Sequence, residues 1–415
     1  MITVETLSIP KSKKEKIKQA GRETRKRHSL MTCTTIDTKI VDDSLSQKQK
    51  DTLSSLFLEA KWFYNDMISF MESNNISSYD TTKKHVSVRM GKNNDSYDER
   101  KLVSLSASMK QKMKSNIQSS LKSLAELKRN GHKVGKIDYT KSVKSIPLRQ
   151  YKKDFSILSP TSLSIAKVGK VRVRGLHQIP QGADISNATL LHLPDGYHIH
   201  ITIYTPYSID VDMNLPMCGL DFGIKESITT SDGETFHAVY EITSRIKGLQ
   251  RKLSRQHEGS NNYCKTLDKI RREYQKIDNL KKEHAYKIAR YLLDNYSVII
   301  MQDENISGWH KGLFGKQVQY GILGRIKKIL VHSDQVAVLN RFVPTTQYCP
   351  ECGRLNKHSL EKRTYHCMCG YSYDRDIHAA KNMIELFNKG NDSLVKKYSP
   401  VERGSTPVEH DTSSD

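Results

Sequence analysis

The sequence predicts a multidomain α+β protein: a β-barrel interrupted by a helical insertion, then an α/β domain with an inserted helical hairpin and a small cysteine-rich module. Three observations carry this prediction. Short strands of period 2 recur between about residues 131 and 207, after two long runs of helical spacing. Apolar strands alternate with helices from Met217 onward. Four of the chain's seven cysteines crowd between Cys349 and Cys369. A length of 415 residues suits two or three domains.

In chain order, residues 11–28 form a basic arm, either a disordered tail or a segment that tracks phosphates. Alternation from Met31 to Val41 predicts a strand. Leu53, Leu56, Phe57, Ala60, Phe63, Tyr64, Met67, Ile68 and Met71 recur at helical spacing, with Ser46 as a cap near the start. Residues 74–100 are polar and read as a loop or mobile insertion. A basic amphipathic helix follows from about Leu105 to Leu127. In the strand region, Val171 and Val173 alternate with Arg172 and Arg174. Tyr197, Ile199, Ile201 and Ile203 alternate with His198, His200, Thr202 and Tyr204, after an Asp195-Gly196 turn.

The second half opens with a strand at Cys218–Ile224, in which Asp221 is one carboxylate among apolar residues and glycines. A hairpin turns at Asp232-Gly233. Residues 244–295 read as two helices separated by a polar break at Glu258 to Asn262. Val298–Met301 is a buried strand ending in Gln302-Asp303-Glu304-Asn305. A helix from about Phe314 to Leu330, a strand at Val336 to Leu339, the cysteine stretch and a helix from Ile377 to Phe387 complete the pattern. The polar tail from Asn391 is expected to be disordered.

Charge narrows the function. The net charge is +22, and residues 101–180 hold 18 Lys and Arg against Glu126, Asp138 and Asp154, a net +15. An excess that local needs an anionic partner, and nucleic acid is the leading one. Lys170, Arg172 and Arg174 are the candidate contacts, because alternation points them outward from the barrel. No apolar run approaches a membrane span, and no apolar leader is present at the N-terminus, so the expectation is a cytoplasmic protein without a membrane partner.

Cys349 and Cys352, then Cys367 and Cys369, have the spacing of a zinc ribbon whose second knuckle is one residue short. Gly353 and Gly370 follow the knuckles, where positive φ is useful. One structural Zn2+ accounts for the crowding better than reduced thiols or two disulfides. Three carboxylates stand apart as well: Asp221 in a strand, Glu304 at the end of another, and Asp376 at the start of the last helix. Strand, strand and helix is how an RNase H-like fold assembles three distant acids around two Mg2+ ions, about 3.5–4 Å apart, on one scissile phosphate.

Four motifs, GLDFGIK at 219–225, QDENISGW at 302–309, PTTQYCPECG at 344–353 and CGYSYDRDIHAAKNM at 369–383, make residues 217–383 resemble the RuvC nuclease domain of the TnpB family. These are transposon-encoded RNA-guided endonucleases related to type V CRISPR effectors. KVGKVRVRG at 167–175 and the long helix ending near Asn65 match more loosely. The resemblance implies a wedge barrel in residues 1–44 and 131–214 with a helical recognition lobe in 45–130. It implies a RuvC domain in 215–343 and 373–390 with a zinc-binding target-nucleic-acid module in 344–372, and then the tail, 391–415. It implies Asp221, Glu304 and Asp376 as catalytic acids. The implied partners are a transposon-derived guide RNA and target double-stranded DNA beside a short adjacent motif, bound by a monomer in a prokaryotic cytoplasm, at the nucleoid when on DNA. Two alternatives share the resemblance: a CRISPR-associated effector of the same chemistry, and a nuclease-inactive guided repressor. The chain departs from many relatives in carrying Gln302 where their second acid lies, and His378 where an Asn is common. Strand alternation assigns Glu304 to the face of Gln302 and gives Asp303 a capping or salt-bridging role on the other side. Asp374, beside Asp376, reads as a helix cap.

Overall fold

The computed structural model describes residues 13–89, 97–206, 212–224, 226–312, 315–357, 363–389 and 395–397. The chain divides into two compact units between residues 207 and 208.

The first unit begins with a helix, α1, Lys13–Ser29, in the basic arm expected as either a disordered tail or a phosphate-tracking segment. Its Lys, Arg, Gln and Glu residues are good helix formers, and Glu15 near the start with Lys26, Arg27 and His28 at the end complements the helix dipole. Its last turn is clamped. His28 stacks on Tyr204 at 3.7 Å between ring centroids, and both Arg27 and His28 pair with Asp184.

There follow β1 (Met31–Ile40), α2 (Gln47–Met71), β2 (His85–Arg89), β3 (Tyr97–Lys101), α3 (Ala107–Arg129), β4 (Ser145–Leu148), β5 (Phe155–Ser159), β6 (Ser162–Ile165), β7 (Gly169–Arg174), β8 (Asp184–Leu193) and β9 (Gly196–Pro206). Seven of the strands form one curled antiparallel sheet in the order β4-β8-β9-β1-β7-β6-β5. Among the described residues its edges, β4 and β5, do not pair, so the hydrogen-bonded ring of a closed barrel is not completed. α2 starts in a capping box between Ser46 and Gln49. One apolar cluster joins α2 and α3 to the inward residues of the sheet, among them Ile36, Ile40, Val171, Val173, Ile199 and Ile201.

Residues 74–100, expected as a loop, contain the β2–β3 hairpin. Its anchors come from α2. The buried Asp66 accepts hydrogen bonds from the Tyr79 hydroxyl and the Ser87 N–H, and the buried Glu59 accepts from the N–H groups of Val103, Ser104 and Leu105. A polar segment thus gains order from two buried carboxylates that local pattern does not reveal.

The second unit contains β10 (Met217–Phe222), β11 (Ile228–Thr230), β12 (Thr235–Phe236), α4 (Ser244–Ser254), α5 (Asn261–Asn295), β13 (Val298–Gln302), α6 (Ile306–Trp309), α7 (Gly315–Tyr320), α8 (Leu323–Val331), β14 (Val336–Leu339), β15 (Thr364–His366), β16 (Ser372–Asp374), α9 (Arg375–Asn388) and β17 (Val395–Lys397). Its sheet runs β12-β11-β10-β13-β14-β17, with β10, β13 and β14 parallel. β13 and β14 are buried at every residue, as parallel strands covered on both faces must be. On one face Cys218, Leu220, Ile299 and Met301 pack with Ala285, Ala289 and Leu292 of α5 and Ile326 and Leu330 of α8. On the other, Val298, Ile300, Ala337 and Leu339 pack with Met383 and Leu386 of α9.

Two expectations are corrected here. The helix expected over 314–330 is broken into α7 and α8, because Gly321 bridges to Val239 and the Tyr240 N–H donates to the Tyr320 carbonyl. Within the tail expected to be disordered, β17 pairs antiparallel with β14. The rest of that tail lies outside the described residues.

Candidate functional site: a carboxylate cluster beside a four-cysteine module

Asp221 is the next residue of β10 after Gly219 on the face that α9 covers. A Cβ at Gly219 would lie 1.8 Å from the Ala380 carbonyl oxygen, so only glycine lets α9 lie this close. Asp376 lies one helical turn before Ala380, and Asp221 lies two residues beyond Gly219. The close crossing therefore brings both acids to the carboxyl end of β10. Asp374 fixes the start of the helix by accepting from the N–H groups of Asp376 (3.0 Å) and Ile377 (3.1 Å). Asp376 pairs with Arg363 at 3.1 Å and with Arg375 at 3.4 Å.

The second strand resolves the region of the remaining acid differently from simple alternation. β13 ends at Gln302, and the Glu304 N–H turns back to the Gln302 carbonyl at 2.8 Å. Gln302 follows the Leu220/Met301 register pair, beside Asp221, and is buried. Its amide donates to the carbonyls of Asn340 (3.2 Å) and Val343 (2.8 Å) and accepts from Thr345 (3.2 Å). Asp303 pairs with Lys327 and with Arg341, each at 3.2 Å. The Lys327 ammonium also donates to the Glu304 carbonyl oxygen at 2.5 Å.

Electrostatics join the three acids. Burial pushes the Asp221 carboxyl up to about 8, and the charges of Asp376 and Glu304 push the same way against Arg375. Burial also raises Glu304, with Lys327 and Arg341 opposing. A carboxylate whose charge is disfavoured first by burial and then by neighbouring anions marks a place short of positive charge, and a hard divalent cation with oxygen ligands fits it. The acids are more widely spaced than the cysteines. Among the described residues the four cysteines are the one group of three or more such ligands whose ligand atoms all lie within 4.8 Å of one another.

In that group, Cys349 and Cys369 have their sulfurs 3.6 Å apart, and Cys352 and Cys367 have theirs 3.5 Å apart. A tetrahedral ion with bonds of ~2.3 Å to sulfur has edges of about 3.8 Å, whereas a disulfide needs about 2.05 Å. The cluster is thus consistent with a structural Zn2+, and all four cysteines are free thiols. Both knuckles turn on left-handed glycines, Gly353 at φ +71° and Gly370 at φ +97°. The Cys369 N–H beside the Cys367 sulfur holds that thiol down at about 6. Asn356 donates to the same sulfur at 3.1 Å. The module is joined to α9 through His378, which is buried, stacks on Tyr365 at 3.9 Å and lies 3.0 Å from Asn382. Asn382 donates to the carbonyls of Thr345 and Tyr348.

In the first unit, Lys170, Arg172 and Arg174 are exposed along β7 while Val171 and Val173 are buried. Sequence reasoning missed Lys327, Arg341 and Arg363, since no local pattern marks a cation that meets an acid from another element.

Two family models match, one described as "Cas12f1-like, TNB domain" over residues 327–383 and one as "Probable transposase" over residues 210–310. "Putative RNA-guided DNA endonuclease InsQ" of Escherichia coli (strain K12) is 27% identical over 53% of this chain and 60% of that protein. A "Putative RNA-guided DNA endonuclease" of Streptomyces pristinaespiralis is 23% identical over 54% of this chain and 58% of that protein. "TnpB-like protein L79" of Acanthamoeba polyphaga mimivirus is 23% identical over 46% of this chain and 41% of that protein. Over these stretches the chain is similar to RNA-guided DNA endonucleases and TnpB-like proteins. Its match spans about three fifths of the length of the first two relatives. A chain of the solved Cas12f1–sgRNA–target DNA complex superposes with a TM-score of 0.46 at 14% identity, covering 81% of this chain and 83% of that one.

Proposed function

We propose that the protein is an RNA-guided DNA endonuclease of a transposon, cleaving target DNA by metal-dependent hydrolysis of a phosphodiester. The observation that supports this reading is that the charges of Asp376 and Glu304 both act on the Asp221 carboxyl, near the carboxyl ends of the parallel strands β10 and β13. That is where open α/β sheets place their ligands. Mg2+ held by these acids would activate the attacking water and stabilise the leaving 3′ oxygen. The chain's own residues bind and position. Asp221 offers a charge that the fold leaves uncompensated, and Arg363 and Arg375 fix Asp376. Lys327 grips the Glu304 backbone and leaves the Glu304 carboxylate for the site.

In this reading residues 1–44 and 131–214 form the wedge, 45–130 the recognition lobe, 215–343 and 373–390 the nuclease domain, and 344–372 the target-nucleic-acid module. Lys170, Arg172 and Arg174 meet backbone phosphates of the guide RNA or target duplex. A monomer with one RNA suffices for this chemistry.

One observation favours a second reading, guided DNA binding without cleavage. Gln302, not an acid, stands beside Asp221 within the sheet, and its amide is committed to the 340–345 loop. A test separates the shared part of both readings from chemistry: sequence the RNA that co-purifies with the wild type and with Asp221→Ala. Both should carry the same discrete RNA in equal amount, because the acid meets metal and not the guide. Absence of a discrete RNA from the wild type would overturn both readings.

A further inference from the structure

The loop after β14 displays an aromatic side chain with no shelter. Phe342 is 86% exposed, an unusual state for a residue worth burying. The turn beneath it is firmly held. Gln302 donates to the carbonyls on either side, of Asn340 and Val343, at 3.2 and 2.8 Å. The Val343 N–H closes onto the Asn340 carbonyl at 3.1 Å, and the Phe342 N–H meets the Asn340 side-chain oxygen at 3.3 Å. A rigid backbone that presents an exposed ring pays little ordering entropy when the ring is covered.

Its place in the sheet says what covers it. β10, β13 and β14 are adjacent and parallel; Asp221 is the penultimate residue of β10, and Glu304 and Phe342 stand just past the carboxyl ends of β13 and β14. With strands spaced ~4.8 Å apart, β14 lies about 10 Å from β10, a few stacked bases at ~3.4 Å each. Arg341, the preceding residue in the chain, tethers the loop to Asp303, next to Glu304. An exposed ring and a cation on one loop are the equipment of single-strand binding, where bases stack and the backbone is neutralised.

We propose that Phe342 is a base-stacking positioning residue for single-stranded DNA at the carboxylate cluster. This rests on the nucleic-acid reading of that cluster, but not on cleavage. The ring covers one base a few nucleotides from the scissile phosphate and holds the strand in place.

The test uses short single-stranded DNAs carrying 2-aminopurine at successive positions, mixed with the full-length protein as purified. The wild type should quench fluorescence at one or two adjacent positions. Phe342→Ala should abolish that quenching and bind about 5- to 150-fold more weakly. Phe342→Tyr should restore both, and all three proteins should unfold at the same temperature, since the ring supports no core. Wild-type protein that quenches nowhere, or Phe342→Ala that quenches like wild type, overturns the proposal. So does a Phe342→Ala effect confined to self-association, which would assign the ring to a second copy of the chain. Quenching by a wild type that fails to cut guide-matched duplex DNA in Mg2+ would instead sink the nuclease reading and leave this one standing.

Discussion

Asp221 shows how the site trades stability for function. Its carboxyl is raised to about 8 in the fold, against about 3.9 in an unfolded chain. The metal-free fold therefore holds a proton that the unfolded chain releases, and stability falls as pH rises from about 4 to about 8. Asp221→Asn removes that penalty. Without added divalent cation, the variant should melt a few degrees above wild type at pH 8, with the gap closing toward pH 4. Equal gaps at both pH values would show that the raised carboxyl is not the cause. Asp221 and Asp376 stand out in the sequence because each sits in a short motif, GLDFGIK and CGYSYDRDIHAAKNM. The region of Glu304 was less legible. The alternation used to orient it stops where β13 stops, at Gln302, and the chain then turns. Asp303 does form the expected ion pairs, with Lys327 and Arg341.

At the scale of elements, the cysteine module and α9 are one mechanical piece. β16 ends at Asp374, which caps α9, and the Tyr365 ring of β15 stacks on His378 of the same helix. Losing the metal should therefore loosen Asp376. Elemental analysis should find about one zinc per chain. Cys352→Ser should lose it together with most DNA cleavage, while keeping the co-purified RNA. Zinc-free protein with full activity would contradict this coupling. Elements with a local signature were readable: the Ser46 cap, the period-2 strands β7 and β9, and the glycine-turned knuckles. Those set by distant partners were not. The β2–β3 hairpin hangs on Asp66 of α2, and the break between α7 and α8 follows from a bridge to Val239. The helical α1 was hidden for another reason. Its charge left a disordered tail and a phosphate-tracking segment both open, although its residues favour helix and its last turn is pinned by Asp184 and Tyr204.

For the whole molecule, the basic excess is the property that composition made plainest, at +22 overall. In the proposed reading it serves binding, while the acids serve chemistry. Replacing Lys170, Arg172 and Arg174 with Gln should weaken nucleic-acid binding and reduce the slope of log K against log salt by about 2–3, the share of three phosphates. An unchanged slope would remove β7 from the interface. The change from alternating to fully apolar strands in the sequence lies close to the division between residues 207 and 208. An open curled sheet was not distinguishable from a closed barrel, since alternation fixes which side chains face inward and says nothing of whether β4 meets β5.

The central claim is that Asp221, Glu304 and Asp376 form a working nuclease site even though Gln302 occupies the neighbouring strand position. The most direct measurement is cleavage of duplex DNA matching the co-purified RNA, in Mg2+, by wild type, Glu304→Gln, Asp303→Asn and Gln302→Glu under identical salt. The account predicts cutting by the wild type, none by Glu304→Gln and substantial activity in Asp303→Asn. A wild type that binds the target without cutting it, and a Gln302→Glu variant that gains cleavage, would contradict the account and identify the protein as a guided DNA-binding relative.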